Sequence, residues 1–309
     1  FRQTSRRIHK RTRSRTRLNM KLLFFTVFFL LFLVMSCSEK NSRLTVTYKL
    51  QRELNEVSGI AYVDNKTYVI EDSGNNNSIY LLKQNGKIDK ELIIENVKNK
   101  DWEDLTSDNF GNLYIGDFGN NDNMRKNLCI YKIYANQLGE NKITTVVKTS
   151  FYYPEQKKFP SDKKEMFYDC ESFFEWKGSF YLFTKNRSKD FDGTVLIYKV
   201  PNKTGRHKAE LIDVFKTCSN KETCTITSAS ITNDGTKMVL LSHSIVWLFE
   251  NFESDNFTNG KISTYDLQHK SQKEAICFKN NDLLIIADEA GENLGNVYEF
   301  PITVLKIEP

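Results

Sequence analysis

The sequence is short of the residues that break strands and of the signatures of familiar catalysts. Only five prolines occur in 309 residues, so long segments are free to form uninterrupted sheet ladders. The six cysteines include no Cys-x-x-Cys pair, which leaves a cysteine-bound zinc without support. There is no Gly-x-Ser-x-Gly elbow, phosphate-binding loop or dinucleotide fingerprint, and the Gly/Asn-rich runs 71–76 and 116–121 lack EF-hand spacing. No stretch sustains a helical apolar period, so a helical architecture is excluded.

Acid and methionine are both missing from residues 1–19, which carry Arg2, Arg6, Arg7, Lys10, Arg11, Arg13, Arg15 and Arg17. Met20 and Lys21 then open an apolar run from Leu22 to Met35, broken only by Thr26, and Ser36-Cys37 follows. A basic start, an apolar core and a small residue before the cut site predict a signal peptide over 20–36. The run falls short of the about 20 residues that span a bilayer. Residues 1–19 read as translation from upstream of the true start, with an extended basic n-region as the alternative. Removal of this leader changes the charge. Nine of the 44 Lys and Arg residues leave with it, so 35 face 39 Asp and Glu and the chain's +5 becomes −4. Nucleic acid is therefore not an expected partner.

Leu33-Val34-Met35-Ser36-Cys37 resembles the lipobox of bacterial lipoproteins. The resemblance implies cleavage before Cys37, its lipidation, a short polar linker over 37–43, and attachment to the bilayer of the cell envelope, on its periplasmic or surface side. The alternative is an ordinary secreted protein with a chance cysteine. Of the other cysteines, Cys218 and Cys224 bracket a polar loop and could pair in an oxidising compartment. Cys129, Cys170 and Cys277 sit in apolar strands and read as small buried hydrophobes.

An internal repeat organises residues 44–309. Five strand–turn–strand segments align: Ser58–Ile70, Glu103–Ile115, Glu171–Phe183, Ala229–Leu241 and Glu274–Ile286. Their starts lie 45, 68, 58 and 45 residues apart, close to a four-stranded blade with loops. The expectation is an all-β propeller of five blades, six being the alternative if a degenerate blade lies near the charged insert Tyr153 to Lys164. The first strand, Leu44–Leu50, has no hairpin partner, and the last repeat lacks a fourth strand. Pairing the two would close the ring and remove two sheet edges.

Equivalent positions of a propeller converge on one axis, and two columns stand out. The first reads Ser58, Glu103, Glu171, Ala229 and Glu274, with Glu56 nearby; the second reads Asp72, Asp117, Lys185, His243 and Asp288. Converging acids must raise one another's pKa or be neutralised by a cation. Glu56, Glu103, Glu171 and Glu274 are thus the expected ligands of a divalent cation, calcium by the chemistry of the oxygens. Asp72, Asp117 and Asp288 are expected at the channel mouth. The alternative is a water-filled tunnel in which Lys185 and Arg187 pair with the acids. Lys185 and His243 are the candidate catalytic groups, His243 as a base near neutral pH. Asp101-Trp-Glu-Asp is the densest local signature, with Trp102 expected to pack between blades.

Glu56-Val-Ser-Gly-Ile-Ala, Asp101-Trp-Glu-Asp, Tyr114-Ile-Gly-Asp-Phe-Gly-Asn and Asp169-Cys-Glu-Ser resemble exported bacterial propeller lipoproteins with E-x-S-G-[LI]-A and D-W-E-D signatures. The resemblance spans about residues 50–300 and implies a propeller. More distantly, the channel acids are similar to those of lactonase/paraoxonase-type and phytase-type propellers, which use calcium to polarise an ester or phosphate. The chain lacks a clear Asn–Asn–Asp channel set and has few basic column residues, which separates it from both. Two functions are carried forward. One is a monomeric envelope binding or scaffold module that takes a small molecule or an envelope protein. The other is a calcium-dependent hydrolase of an ester, lactone or phosphoester.

Overall fold

A computed structural model describes residues 44–291 and 293–305. The proposed leader, Cys37 and the linker lie outside these residues. No helix among the described residues is long and apolar enough to cross a membrane.

Five antiparallel sheets follow one another along the chain. Blade 1 is built from Val57–Val63, Lys66–Glu71, Ser78–Leu82 and Ile88–Ile94. Blade 2 uses Trp102–Ser107, Leu113–Asp117, Cys129–Ile133 and Val147–Tyr152. Blade 3 uses Asp169–Trp176, Ser179–Lys185, Thr194–Pro201 and Glu210–Lys216, and blade 4 Ser228–Ile231, Lys237–Leu241, Ile245–Glu250 and Lys261–Asp266. Blade 5 contains Lys273–Asn280, Leu283–Asp288 and Asn296–Pro301, and its fourth strand is the N-terminal segment Val46–Lys49. That strand lies antiparallel to the last one, with Tyr48 opposite Val297 and Lys49 opposite Asn296. The first and last described strands close the ring.

Packing shows the same closure. Each pair of adjacent sheets encloses its own apolar cluster, and the fifth joins Val57, Val69 and Tyr80 of blade 1 to Ala275, Ile285 and Val297 of blade 5. Trp102 is fully buried between blades 1 and 2, as its position beside alternating apolar residues predicts. No sixth sheet forms among the described residues. The insert from Tyr153 to Lys164 instead lies on the channel-mouth side, where Lys189 N donates to Lys163 O (2.7 Å) and Gln156 Nε2 to Asn123 O (2.6 Å). Cys218 and Cys224 form a disulfide, and the other three described cysteines are buried thiols.

Two short strands strap neighbouring blades. Lys142–Ile143, from a blade 2 connection, pairs in parallel with the outer strand of blade 1. Gly205–Lys208, from a blade 3 connection, does the same for blade 2. Each covers a sheet edge that would otherwise offer free backbone groups to another chain.

Candidate functional site at the channel mouth

The first strands of four blades carry a bulge at the same place. The pairing register slips between Val57 and Gly59, Trp102 and Asp104, Cys170 and Ser172, and Lys273 and Ala275. The extra residues are Ser58, Glu103, Glu171 and Glu274, four members of the first sequence column. A bulge frees its residue from the strict in/out alternation and re-aims the side chain. Here the three glutamates line a cavity of about 120 Å³ together with Glu56, Asp72, Lys185, Arg187 and Glu289. Blade 4 has no such slip: Ala229 pairs with Leu240 and faces the apolar cluster between blades 3 and 4. It contributes nothing to the cavity.

The second column divides. Asp72 and Lys185 reach the cavity, whereas Asp117 and Asp288 do not. Both aspartates pair with the residue immediately before the bulge, Trp102 and Lys273, one position short of the place that Lys185 takes opposite Asp169, so the pleat turns them to the other face. Asp117 bonds Arg125 (2.6 Å). Asp288 accepts from Tyr298 Oη (2.7 Å) and Ser271 Oγ (2.8 Å), with Lys273 at 3.8 Å. One residue later, Glu289 enters the cavity in place of Asp288.

The walls of this well differ. On the blade 3 side the acids are paired: Lys185 Nζ lies 2.9 Å from Glu171, and Arg187 bridges Asp169 (2.6 Å) and Glu171 (2.7 Å). Burial raises the Glu171 carboxyl, but Lys185 and Arg187 outweigh it and hold the group below its ordinary value. At the rim, His243 Nε2 meets Glu274 at 2.9 Å and Asn75 Nδ2 donates to Glu56 at 2.6 Å. On the blade 1–2 side the carboxylates crowd together. Oxygens of Asp72, Asp101 and Glu103 lie within 4.8 Å of one another. Glu103 is 8 % exposed and accepts no hydrogen bond among the described residues. Burial, then Glu171, Asp72, Asp169 and Asp101, push its carboxyl well up. Asp72 is raised to about 6, first by burial and also by Asp101, Glu171 and Glu56. Burial and the charges of Glu274, Glu56 and Asp72 take Glu289 to about 7. Arg125, 3.6 Å from Asp101, moderates that acid. Gly119 backs the cluster at such close range that a Cβ would overlap the Glu103 and Asp101 carboxylates.

Below the well the axis is plugged. Asp104, Ser172, Ser228 and Ala275 are all fully buried. The Asp104 carboxylate accepts from Leu105 N (2.9 Å), Phe173 N (3.2 Å) and Ser228 Oγ (3.2 Å), while Ser228 Oγ accepts from Ile276 N (3.1 Å). Ser58 Oγ donates to Trp102 O (2.7 Å), and Thr227 Oγ1 to Lys273 O (2.7 Å). Gly59 brings blade 1 against this layer, where a Cβ would overlap the Leu105 amide. The small cavity beyond the plug shares no lining residue with the well. The channel is a blind pocket, in place of the tunnel allowed by the sequence.

The four residues of Asp101-Trp-Glu-Asp thus part ways. Asp101 joins the acid cluster, Trp102 fills the inter-blade core, Glu103 lines the well and Asp104 anchors the plug. Sequence reasoning missed Asp101, Asp104, Asp169 and Arg125. Asp101 and Asp104 lay inside the recognised signature. Arg125 sits in a loop outside both columns, with no spacing to mark it.

No protein-family model and no curated protein matches the chain. Among solved structures it is similar to a nidogen/laminin complex, at TM-score 0.44 and 12% identity, over 75% of this chain and 72% of that one. It is similar to a catalytically inactive virginiamycin B lyase from Staphylococcus aureus with quinupristin, at TM-score 0.39 and 16% identity, over 78% and 66%. A third is the PQQ-bound aldose sugar dehydrogenase of Streptomyces coelicolor, at TM-score 0.46 and 8% identity, over 83% and 97%.

Proposed function

We propose that the chain is a cell-envelope lipoprotein, held through Cys37, whose propeller is a binding module with a divalent cation, calcium, at the channel mouth. One observation carries the reading: Glu103, more than nine-tenths buried, accepts no hydrogen bond among the described residues and faces Asp72 and Asp101. Calcium–oxygen distances of 2.3–2.6 Å put opposed ligands about 4.6–5.2 Å apart, and the three carboxylates lie within 4.8 Å. Magnesium, with shorter bonds and a stricter octahedron, suits the set less well. When bound, the cation neutralises these acids and offers its remaining positions to oxygens of a ligand. Lys185 and Arg187 pair with Glu171 and Asp169 on the opposite wall, which leaves fewer free oxygens there for an ion. Glu56, Glu274 and Glu289 make the mouth attractive to cations.

Thermal unfolding with and without calcium tests this. At 100 times its dissociation constant an ion bound to the native state alone contributes about 2.7 kcal/mol. For a domain of this size that is a rise of about 5 °C or more. Glu103→Gln should abolish the rise; an unchanged melting temperature at saturating calcium removes the cation. Labelling with palmitate, lost in Cys37→Ser, tests the anchor.

The hydrolase reading keeps one specific support. His243 lines a second cavity, of about 610 Å³, which shares Glu289 with the well. If Nε2–H donates to Glu274, Nδ1 is the basic atom that takes a proton from water. A calcium-dependent esterase or phosphoesterase activity lost in His243→Asn, with the thermal rise retained, would favour hydrolysis over binding.

A further inference from the structure

The end of the propeller opposite the well carries a separate cavity of about 400 Å³, within the range of small-molecule sites. It lies among the inner hairpin turns of blades 2, 3 and 4, and its rim holds Phe110, whose ring is 85% exposed. The turn bearing that ring is firmly held. Asp108 accepts from Phe110 N (2.9 Å), Asn112 N (3.0 Å) and Tyr114 Oη (2.7 Å). Asn109 Nδ2 donates to Asn233 O of blade 4 (2.9 Å), tying the tip across the molecule. A fixed tip that leaves its one large aromatic ring in water spends no ordering entropy when something stacks on it.

The rest of the lining sets the chemistry of that ligand. Glu175 uses one oxygen for Gly178 N (2.8 Å) and Asn202 Nδ2 (3.4 Å); its other oxygen accepts no bond among the described residues. Lys132 Nζ sits over the Tyr114 and Tyr134 rings, 5.4 and 5.1 Å from their centroids, and forms no ion pair among the described residues. An acceptor, a cationic donor and side-chain amides therefore surround the space beside the exposed Phe110 ring and the largely buried Trp176. An anion would meet Asp108, Glu175 and Asp234. A hydroxyl-rich ring matches, since each hydroxyl both donates and accepts and its C–H face covers Phe110.

We infer that this cavity is a saccharide-binding site in which Phe110 is the stacking platform and Glu175 and Lys132 bond ring hydroxyls. The inference is independent of the channel mouth. Saturation-transfer NMR on the intact chain, with cellobiose, maltose and chitobiose as probes, tests it. At least one disaccharide should take up saturation at its ring C–H protons, and EDTA should leave the signal unchanged. Phe110→Ala should weaken binding about tenfold or more at an unchanged melting temperature, and Phe110→Tyr should retain it. Absence of saturation for all three disaccharides, or equal affinity in Phe110→Ala, overturns the assignment.

Discussion

Glu103 and Asp104 are consecutive residues of one strand, both buried, and they meet opposite surroundings. Asp104 in the plug is met by donors from blades 2, 3 and 4, while Glu103 in the well is met by other carboxylates. Burial raises both carboxyls. Around Asp104 the peptide and hydroxyl donors offset part of the desolvation cost. Around Glu103 no hydrogen-bond donor does among the described residues, and only the charge of Arg187 opposes the neighbouring acids. The difference separates a carboxylate that holds the blades together from one that is available to a ligand.

The largest expected effect breaks the plug. Asp104→Ala strands the Phe173 amide and the Ser228 hydroxyl without an acceptor, and should cost about 3–5 kcal/mol in urea unfolding. Glu103→Gln should act with the opposite sign. In calcium-free protein at pH 8 it removes a carboxyl whose charged form is disfavoured by folding, and the melting temperature should rise by about 2 °C or more. A fall of the size seen for Asp104→Ala would erase the contrast.

The contrast also predicts a pH dependence. Glu103, Asp72 and Glu289 are all raised by folding, so the native state binds more protons than the unfolded one. Their contribution is complete below about pH 4, the ordinary carboxylate range. It is lost as pH rises through about 6 for Asp72 and about 7 for Glu289. EDTA-treated protein should therefore lose stability between about pH 4 and pH 8, and calcium should restore more of it at the upper end. The smallest effect belongs to Ser58→Ala, which deletes one buried bond to Trp102 O and should cost about 1 kcal/mol.

Much of this architecture was legible in the sequence because it rests on periodicity. Five hairpins of β-branched and aromatic residues, and a first strand without a partner, are enough to close a ring on paper. The site was legible only in part. Glu103, Glu171 and Glu274 were found because they repeat, but Asp117 and Asp288 were placed one position out. A bulge adds one residue, and in a period-2 strand a single residue decides which face a side chain takes. Nothing in the composition marks where that residue enters. Asp104 was passed over for a related reason: beside a polar signature it reads as one more channel acid, and its donors come from blades 3 and 4, 69 and 124 residues away.

Val46–Lys49 leaves the ribosome ahead of every other described strand, yet its partner Asn296–Pro301 is the last described strand to follow; Thr47 and Glu299, hydrogen-bonded in the finished ring, are 252 residues apart. Blade 5 must therefore stay incomplete until Asn296–Pro301 has been made, however early blades 1 to 4 assemble. A chain stopped before Asn296 would hold a two-stranded fifth sheet and an orphaned first strand. Translation through this last strand and acquisition of the native ring become a single event, which is a form of quality control set by topology.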